Sequence, residues 1–131
     1  MNHQERARYL DHQWVGIGWT PIIKALDKQL GEIAPNYEIT QVKEKFGGLR
    51  YYYYIPTSKW AFHRLTWWNI GKIIRKRHAK KVENCDDLVV FSEKIAEQTC
   101  EKCGSHQNVA LRGKPPYWVK TLCDGCAENH D

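Results

Sequence analysis

Four cysteines in the last third of the chain constrain its fold more than any other feature. Cys100 and Cys103 form one C-x2-C pair, Cys123 and Cys126 a second, and nineteen residues separate the pairs. A two-residue gap lets one tight turn aim both sulfurs at a common point, and two such turns complete a tetrahedron of thiolates around a single Zn²⁺. Gly104, directly after the first pair, suits a backbone that leaves such a turn in a left-handed conformation. Two disulfides would require an oxidising compartment, and the opening Met1-Asn2-His3-Gln4-Glu5-Arg6 has no apolar leader. Catalytic zinc keeps an open coordination position, which four thiolates do not leave. His106 and His130 lie near enough in sequence to replace a cysteine, but the four thiols already fill a shell. The expectation is one structural Zn²⁺ in a treble-clef or ribbon-like lobe over 100–131, packed as a unit with an α+β body over 1–99.

At 131 residues the chain has room for one such domain and a real core. No apolar run approaches the ~20 residues that cross a bilayer, and the richest stretch, 60–74, is interrupted by His63, Arg64, Asn69 and Lys72. A soluble protein of the reducing cytoplasm, without a membrane partner, is expected. Cys85, the odd thiol, reads as a small, partly buried residue rather than a nucleophile.

The net charge of +5 is unevenly placed. Residues 55–82 hold Lys59, Arg64, Lys72, Arg75, Lys76, Arg77, Lys80 and Lys81 and no acid, whereas the rest of the chain is slightly acidic. A concentrated patch keeps its field, because no neighbouring charge cancels it.

Along the chain, 4–14 reads as a first helix. Thr20 as N-cap and Pro21 at the first helical position open a second, with Ile22, Ile23, Leu26 and Leu30 as its apolar stripe and Gly31 as its stop. Residues 36–55 read as a β-hairpin turning at Phe46-Gly47-Gly48. On its return strand Leu49, Tyr51, Tyr53 and Ile55 share one face, and Arg50, Tyr52 and Tyr54 the other. Pro56-Thr57-Ser58 caps a long basic, Trp-rich helix through Trp60, Leu65, Trp68, Ile70 and Ile74, with Gly71 as a possible break. Asp86-Asp87 caps another helix, with Leu88, Phe91 and Ile95 as its stripe. A second hairpin turns around 112–116, and 127–131 leaves about one helical turn.

Two blocks carry a resemblance. Gln41-Val42-Lys43-Glu44-Lys45-Phe46-Gly47-Gly48-Leu49-Arg50-Tyr51-Tyr52-Tyr53 and Cys100-x2-Cys103-Gly104 with Trp118-Val119-Lys120-Thr121-Leu122-Cys123 resemble small, functionally uncharacterised prokaryotic and phage-encoded proteins. Those proteins pair a KEKFGxLRxYY hairpin with a zinc knuckle ending in W-x2-TLC. In that group the last ligand is often His, where this chain has Cys126, and residues 60–82 look like an addition to the shared pattern. The zinc lobe alone is similar to the finger of the DksA/TraR transcription regulators, although those have a shorter gap and an acidic helical hairpin that is not evident here.

No phosphate-binding GxxxxGK[ST], GxGxxG, nucleophile elbow or HExxH is present, so binding rather than catalysis is expected. The resemblance implies a host-directed role, binding and inhibiting or modulating a bacterial defence or transcription complex, and the basic segment 55–82 calls for an acidic surface on that partner. The partner-binding candidates are Trp67, Trp68, Lys72, Arg75, Lys76, Arg77, Lys80 and Lys81, together with Arg50, Tyr52 and Tyr54. A DNA- or RNA-binding regulator using 72–81 is the alternative, and it requires aromatic rings exposed for stacking beside the charge. A small zinc-finger nuclease ranks third.

Overall fold

The computed structural model describes residues 1–11, 15–57, 68–114 and 117–128, with the side chains of 68, 69, 114, 117 and 118 outside the description. The protein is α+β. Its elements are α1 (His3–Leu10), a 3-10 turn (Ile17–Trp19), α2 (Thr20–Ile33), β1 (Glu38–Lys45), β2 (Gly48–Tyr54), α3 (Trp68–Glu97), β3 (Ala110–Lys114), β4 (Tyr117–Leu122) and α4 (Asp124–Glu128). β1 pairs antiparallel with β2, and β3 antiparallel with β4, as two separate sheets.

α1 starts on a reciprocal cap: the Asn2 side chain accepts the Glu5 N–H at 2.8 Å, and Glu5 accepts the Asn2 N–H at 3.2 Å. It ends at Leu10, short of the expected Trp14, and 12–14 lie outside the described residues. Thr20 is not an N-cap. The 3-10 turn feeds directly into α2, so Thr20 is already helical, and its buried Oγ1 has no hydrogen-bond partner among the described residues. Gly31 is not the stop either. Ile33 and Ala34 still pack on the core, and Ala34 leaves the helix because it precedes Pro35, which disfavours helical geometry before it.

The first hairpin follows its sequence pattern. Phe46 (φ 53°) and Gly47 (φ 79°) form a two-residue turn with both φ values positive, matching the twist of the flanking strands. Leu49, Tyr51 and Ile55 are buried, while Arg50, Tyr52 and Tyr54 face out. A register shift between Ile39 and Gln41 lets Ile39 and Val42 both reach the core.

α3 departs most from expectation. It is one helix of 30 residues, about 45 Å long, with neither a break at Gly71 nor a restart at Asp86-Asp87. Its buried positions are Gly71, Cys85, Val89, Ser92 and Ala96, with Val82 and His78 half-buried between the first two. The expected stripe of Leu88, Phe91 and Ile95 lies to one side, and Phe91 is 62 % exposed. Small side chains on the buried face let α3 approach α2 and β2 closely. The caps and helix expected over 58–67 lie outside the described residues.

The main core gathers Trp19, Ile23, Leu26 and Leu30 with Tyr37, Ile39, Leu49, Tyr51, Cys85 and Val89. Cys85 is fully buried, and burial raises its thiol pKa, which suits a packing role. At its polar edge, Arg6 bonds the Asp27 carboxylate at 2.6 Å and the Tyr37 carbonyl at 3.1 Å. The Tyr37 hydroxyl meets Asp27 and lies 2.9 Å from the Tyr51 hydroxyl. Burial first, and these neighbours second, push the Tyr37 pKa upward, so the network is held neutral at its phenols. α1, α2 and the hairpin are locked together there.

Candidate functional site

The lobe that follows α3 is short on apolar burial: its own cluster is Cys100, Leu122 and Cys123 with Val109, Cys126 and Ala127 at its margin. The cysteines organise the rest. Cys100 and Cys103 flank a turn closed by the Gly104 N–H on the Cys100 carbonyl at 2.9 Å, with Gly104 at φ 82°. Cys123 directly follows β4, and Cys126 sits in α4, whose Ala127 N–H donates to the Cys123 carbonyl at 2.9 Å. Arg112 on β3 donates to the carbonyls of Asn108 and Leu122 and pairs with Asp124, tying the hairpin to the start of α4.

The four sulfurs all lie within 4.8 Å of one another, so Cys100, Cys103, Cys123 and Cys126 together could hold a metal ion. Burial pushes the Cys100 thiol up, but backbone donors at Cys123, Cys103 and Lys102 outweigh it and bring its pKa down to about 6. Cys126 is pushed up to about 12 by the sulfurs of Cys103 and Cys123. Four sulfurs this close cannot all ionise unaided, whereas a bound dication deprotonates its thiol ligands outright. His106 is no part of the cluster; its Nδ1 lies 3.2 Å from the Thr99 hydroxyl. His130 lies outside the described residues.

This lobe is joined to the body by backbone as much as by side chains. The Gly18 N–H donates to the Glu101 carbonyl at 2.8 Å, and Trp19 Nε1 donates to the Thr99 carbonyl at 2.9 Å. On the other side, the Thr121 hydroxyl donates to the Gly47 carbonyl in the first hairpin's turn. Lys120 reaches both Glu101 (3.3 Å) and Glu44 (3.8 Å), and Glu44 also accepts the Gly47 N–H at 2.6 Å. Residues 41–53 and 100–123, which stand apart in sequence, therefore meet.

The partner-binding candidates occupy a different region. Lys72, Lys76, Arg77, Lys80 and Lys81 are exposed on the amino-terminal half of α3, and Arg75 is half-buried. Lys80 pairs with Glu83 at 3.7 Å, whereas Lys72, Lys76, Arg77 and Lys81 pair with no acid among the described residues. Trp67 and the side chain of Trp68 lie outside the described residues. Tyr52 and Tyr54 are 45 % and 54 % exposed. Cross-strand register sets Lys43 opposite Arg50 and Gln41 opposite Tyr52 on the same outer face, with Lys43 Nζ 5.6 Å from the Tyr52 ring centre.

A cavity of about 350 Å³ between β2 and α3 is lined by the whole run from Tyr51 to Ile55, from both faces of the strand, and by His78, Val82 and Asp86 of the helix. A second, of about 320 Å³, shares Ile55 and His78 and adds Asn36, Thr57, Arg77 and Lys81. His78 lines both: its Nε2 lies 2.9 Å from the Ile55 carbonyl, which can only accept, so Nε2 carries the proton. Sequence reasoning missed Lys43, Asn36, Thr57 and His78 as members of this surface. Lys43 was recoverable from the hairpin register, but His78 was not, because its contact is with a backbone carbonyl.

No family model, curated protein or solved structure matches the chain. Its class rests on its own geometry: an α+β protein with a four-cysteine metal-type lobe. Among the described residues no helix is long and apolar enough to cross a membrane.

Proposed function

We propose that this protein is a zinc-stabilised binding protein, not an enzyme, and that it engages an anionic macromolecule through the basic half of α3 and the outer face of the β1–β2 hairpin. It rests on the exposure of Lys72, Lys76, Arg77 and Lys81 without acidic partners among the described residues, since such a field steers and holds an oppositely charged surface. Zinc is the ion this reading assigns to the four thiols, because soft thiolates in a closed tetrahedral set favour it and suit a reducing cytoplasm. This reading favours a treble clef for the lobe, because a C-x2-C turn, a hairpin and a short helix carrying the last cysteine follow one another in the chain. Cys100, Cys103, Cys123 and Cys126 would hold the ion, which would supply folding energy rather than chemistry.

An acidic protein of a bacterial host, as the resemblance implies, is a second reading. Ile70 and Ile73, about half exposed beside Lys72 and Lys76, favour it, because apolar anchors ringed by charge are the anatomy of a protein interface. Capture from a bacterial lysate on the immobilised, zinc-loaded chain, with and without nuclease, tests the broader proposal. Salt-sensitive retention that is lost in a Lys76→Glu, Arg77→Glu chain is expected. Retention unchanged by that charge reversal would overturn it.

A further inference from the structure

The connected groove has two chemically distinct ends. At one, Tyr52 and Tyr54 present exposed rings at alternate positions of β2, about 6.8 Å apart along the strand. Neither hydroxyl has a hydrogen-bond partner among the described residues, and the only ring contact is that of Lys43 with Tyr52. At the other end Arg77 and Lys81 line the second cavity beside the Asn36 and Thr57 side chains. Arg50, Lys43 and Lys45 add positive charge along the hairpin. Acids also lie near the groove: Asp86 lines its tyrosine end and accepts the Tyr53 hydroxyl there, and Glu93 lies near Arg50, whereas Glu38 pairs with the terminal amine at 3.3 Å and Glu83 with Lys80.

We propose that this groove is a site for single-stranded nucleic acid, with unpaired bases stacked on Tyr52 and Tyr54 and the adjoining phosphates held by Arg77, Lys81 and Lys43. The proposal rests on the anionic-partner reading above and names its partner. A single strand offers what both ends call for, a flat aromatic face and a phosphate repeated at short intervals. An acidic peptide would use only the cationic end, and a duplex keeps its base faces stacked inside, where the tyrosines cannot reach them. Stacking of this kind tolerates any base, so the site discriminates strandedness rather than sequence.

The test is fluorescence anisotropy of the zinc-loaded full chain with labelled oligonucleotides of about 10 nucleotides. The probes are an oligo-dT, an oligo-U, a duplex of the same length, and an abasic sugar-phosphate strand. Both single strands are expected to bind more tightly than the duplex, and the abasic strand more weakly than either. Tyr52→Ala with Tyr54→Ala should weaken single-strand binding on the order of ten-fold or more and leave abasic binding unchanged. Tyr52→Phe with Tyr54→Phe should retain binding, because the ring and not the hydroxyl is used. Arg77→Glu with Lys81→Glu should weaken all four probes. If the alanine pair binds the single strands as the natural chain does, or the duplex binds as tightly as they do, the single-strand site is overturned. The anionic-partner reading then survives only if the charge reversal still weakens binding. Binding of the mononucleotides dTMP and UMP as tight as that of the oligonucleotides would also overturn a strand site. Should none of the four probes bind, the proposal falls, and lysate capture insensitive to nuclease would assign the surface to an acidic protein.

Discussion

A Cβ placed on Gly18 would lie 2.2 Å from the carbonyl oxygen of Cys100 and 2.6 Å from the Gly104 nitrogen. The entry to α2 is thus seated on the metal-binding turn with no space for a methyl group. Both obstructing atoms are backbone, within a turn whose cysteines are tied to the cluster, so neither can step aside cheaply. Gly18→Ala is expected to destabilise the protein by about 3 kcal/mol, the upper range for overpacking at a rigid contact. Gly31, in the interior of α2, has nothing within 4 Å of such a Cβ. Gly31→Ala should therefore stabilise by about 0.5–1 kcal/mol through helix propensity alone. Urea denaturation of the two variants checks both signs.

Metal analysis of the purified chain should find one zinc per chain. A lobe whose own core is little more than Cys100, Leu122 and Cys123 gains little from burial. Structural zinc sites, by contrast, contribute on the order of 10–16 kcal/mol in small peptides. Chelation should therefore melt β3, β4 and α4 and release the contacts of Gly18 and Gly47, followed by loss of hydrogen-exchange protection at the amides of Gly18 and Glu101. Full protection in a zinc-free chain would contradict the assignment.

Asp86 lies inside α3 and accepts the Tyr53 hydroxyl, which also reaches the Val82 carbonyl at 3.1 Å. Asp86→Ala should leave helical circular dichroism unchanged and cost about 1 kcal/mol, the worth of one partly exposed hydrogen bond. An N-cap aspartate in the same position would have been expected to lose helix on the same change.

The parts of the fold visible in the sequence are those written in side-chain alternation and spacing. Leu49, Tyr51 and Ile55 declared the buried face of β2 by strict alternation, and the two C-x2-C pairs declared the metal-type cluster. α3 hid its packing face because Cys85, Ser92 and Ala96 carry it, whereas the bulkier Phe91 and Val90 are exposed. A stripe chosen by hydrophobic size therefore comes out one position off. The docking of the lobe was illegible for another reason: Gly16, Gly18 and Gly47 make it through backbone and close approach, which leave no pattern in residue type. Arg50, Tyr52 and Tyr54 were grouped correctly from the strand period, but their link to Arg77 and Lys81 depends on how α3 lies along β2.

The β2–α3 groove, and not the metal lobe, is expected to meet the partner. The most direct test of this is a ¹⁵N-NMR titration of the zinc-loaded chain with a short oligo-dT strand. The amides of Arg50, Tyr52, Tyr54, Arg77, His78 and Lys81 should shift together in proportion to occupancy, while those of Cys100, Cys103, Cys123 and Cys126 stay in place. Shifts confined to the cysteine lobe, or a spectrum unchanged at saturating strand, would contradict it.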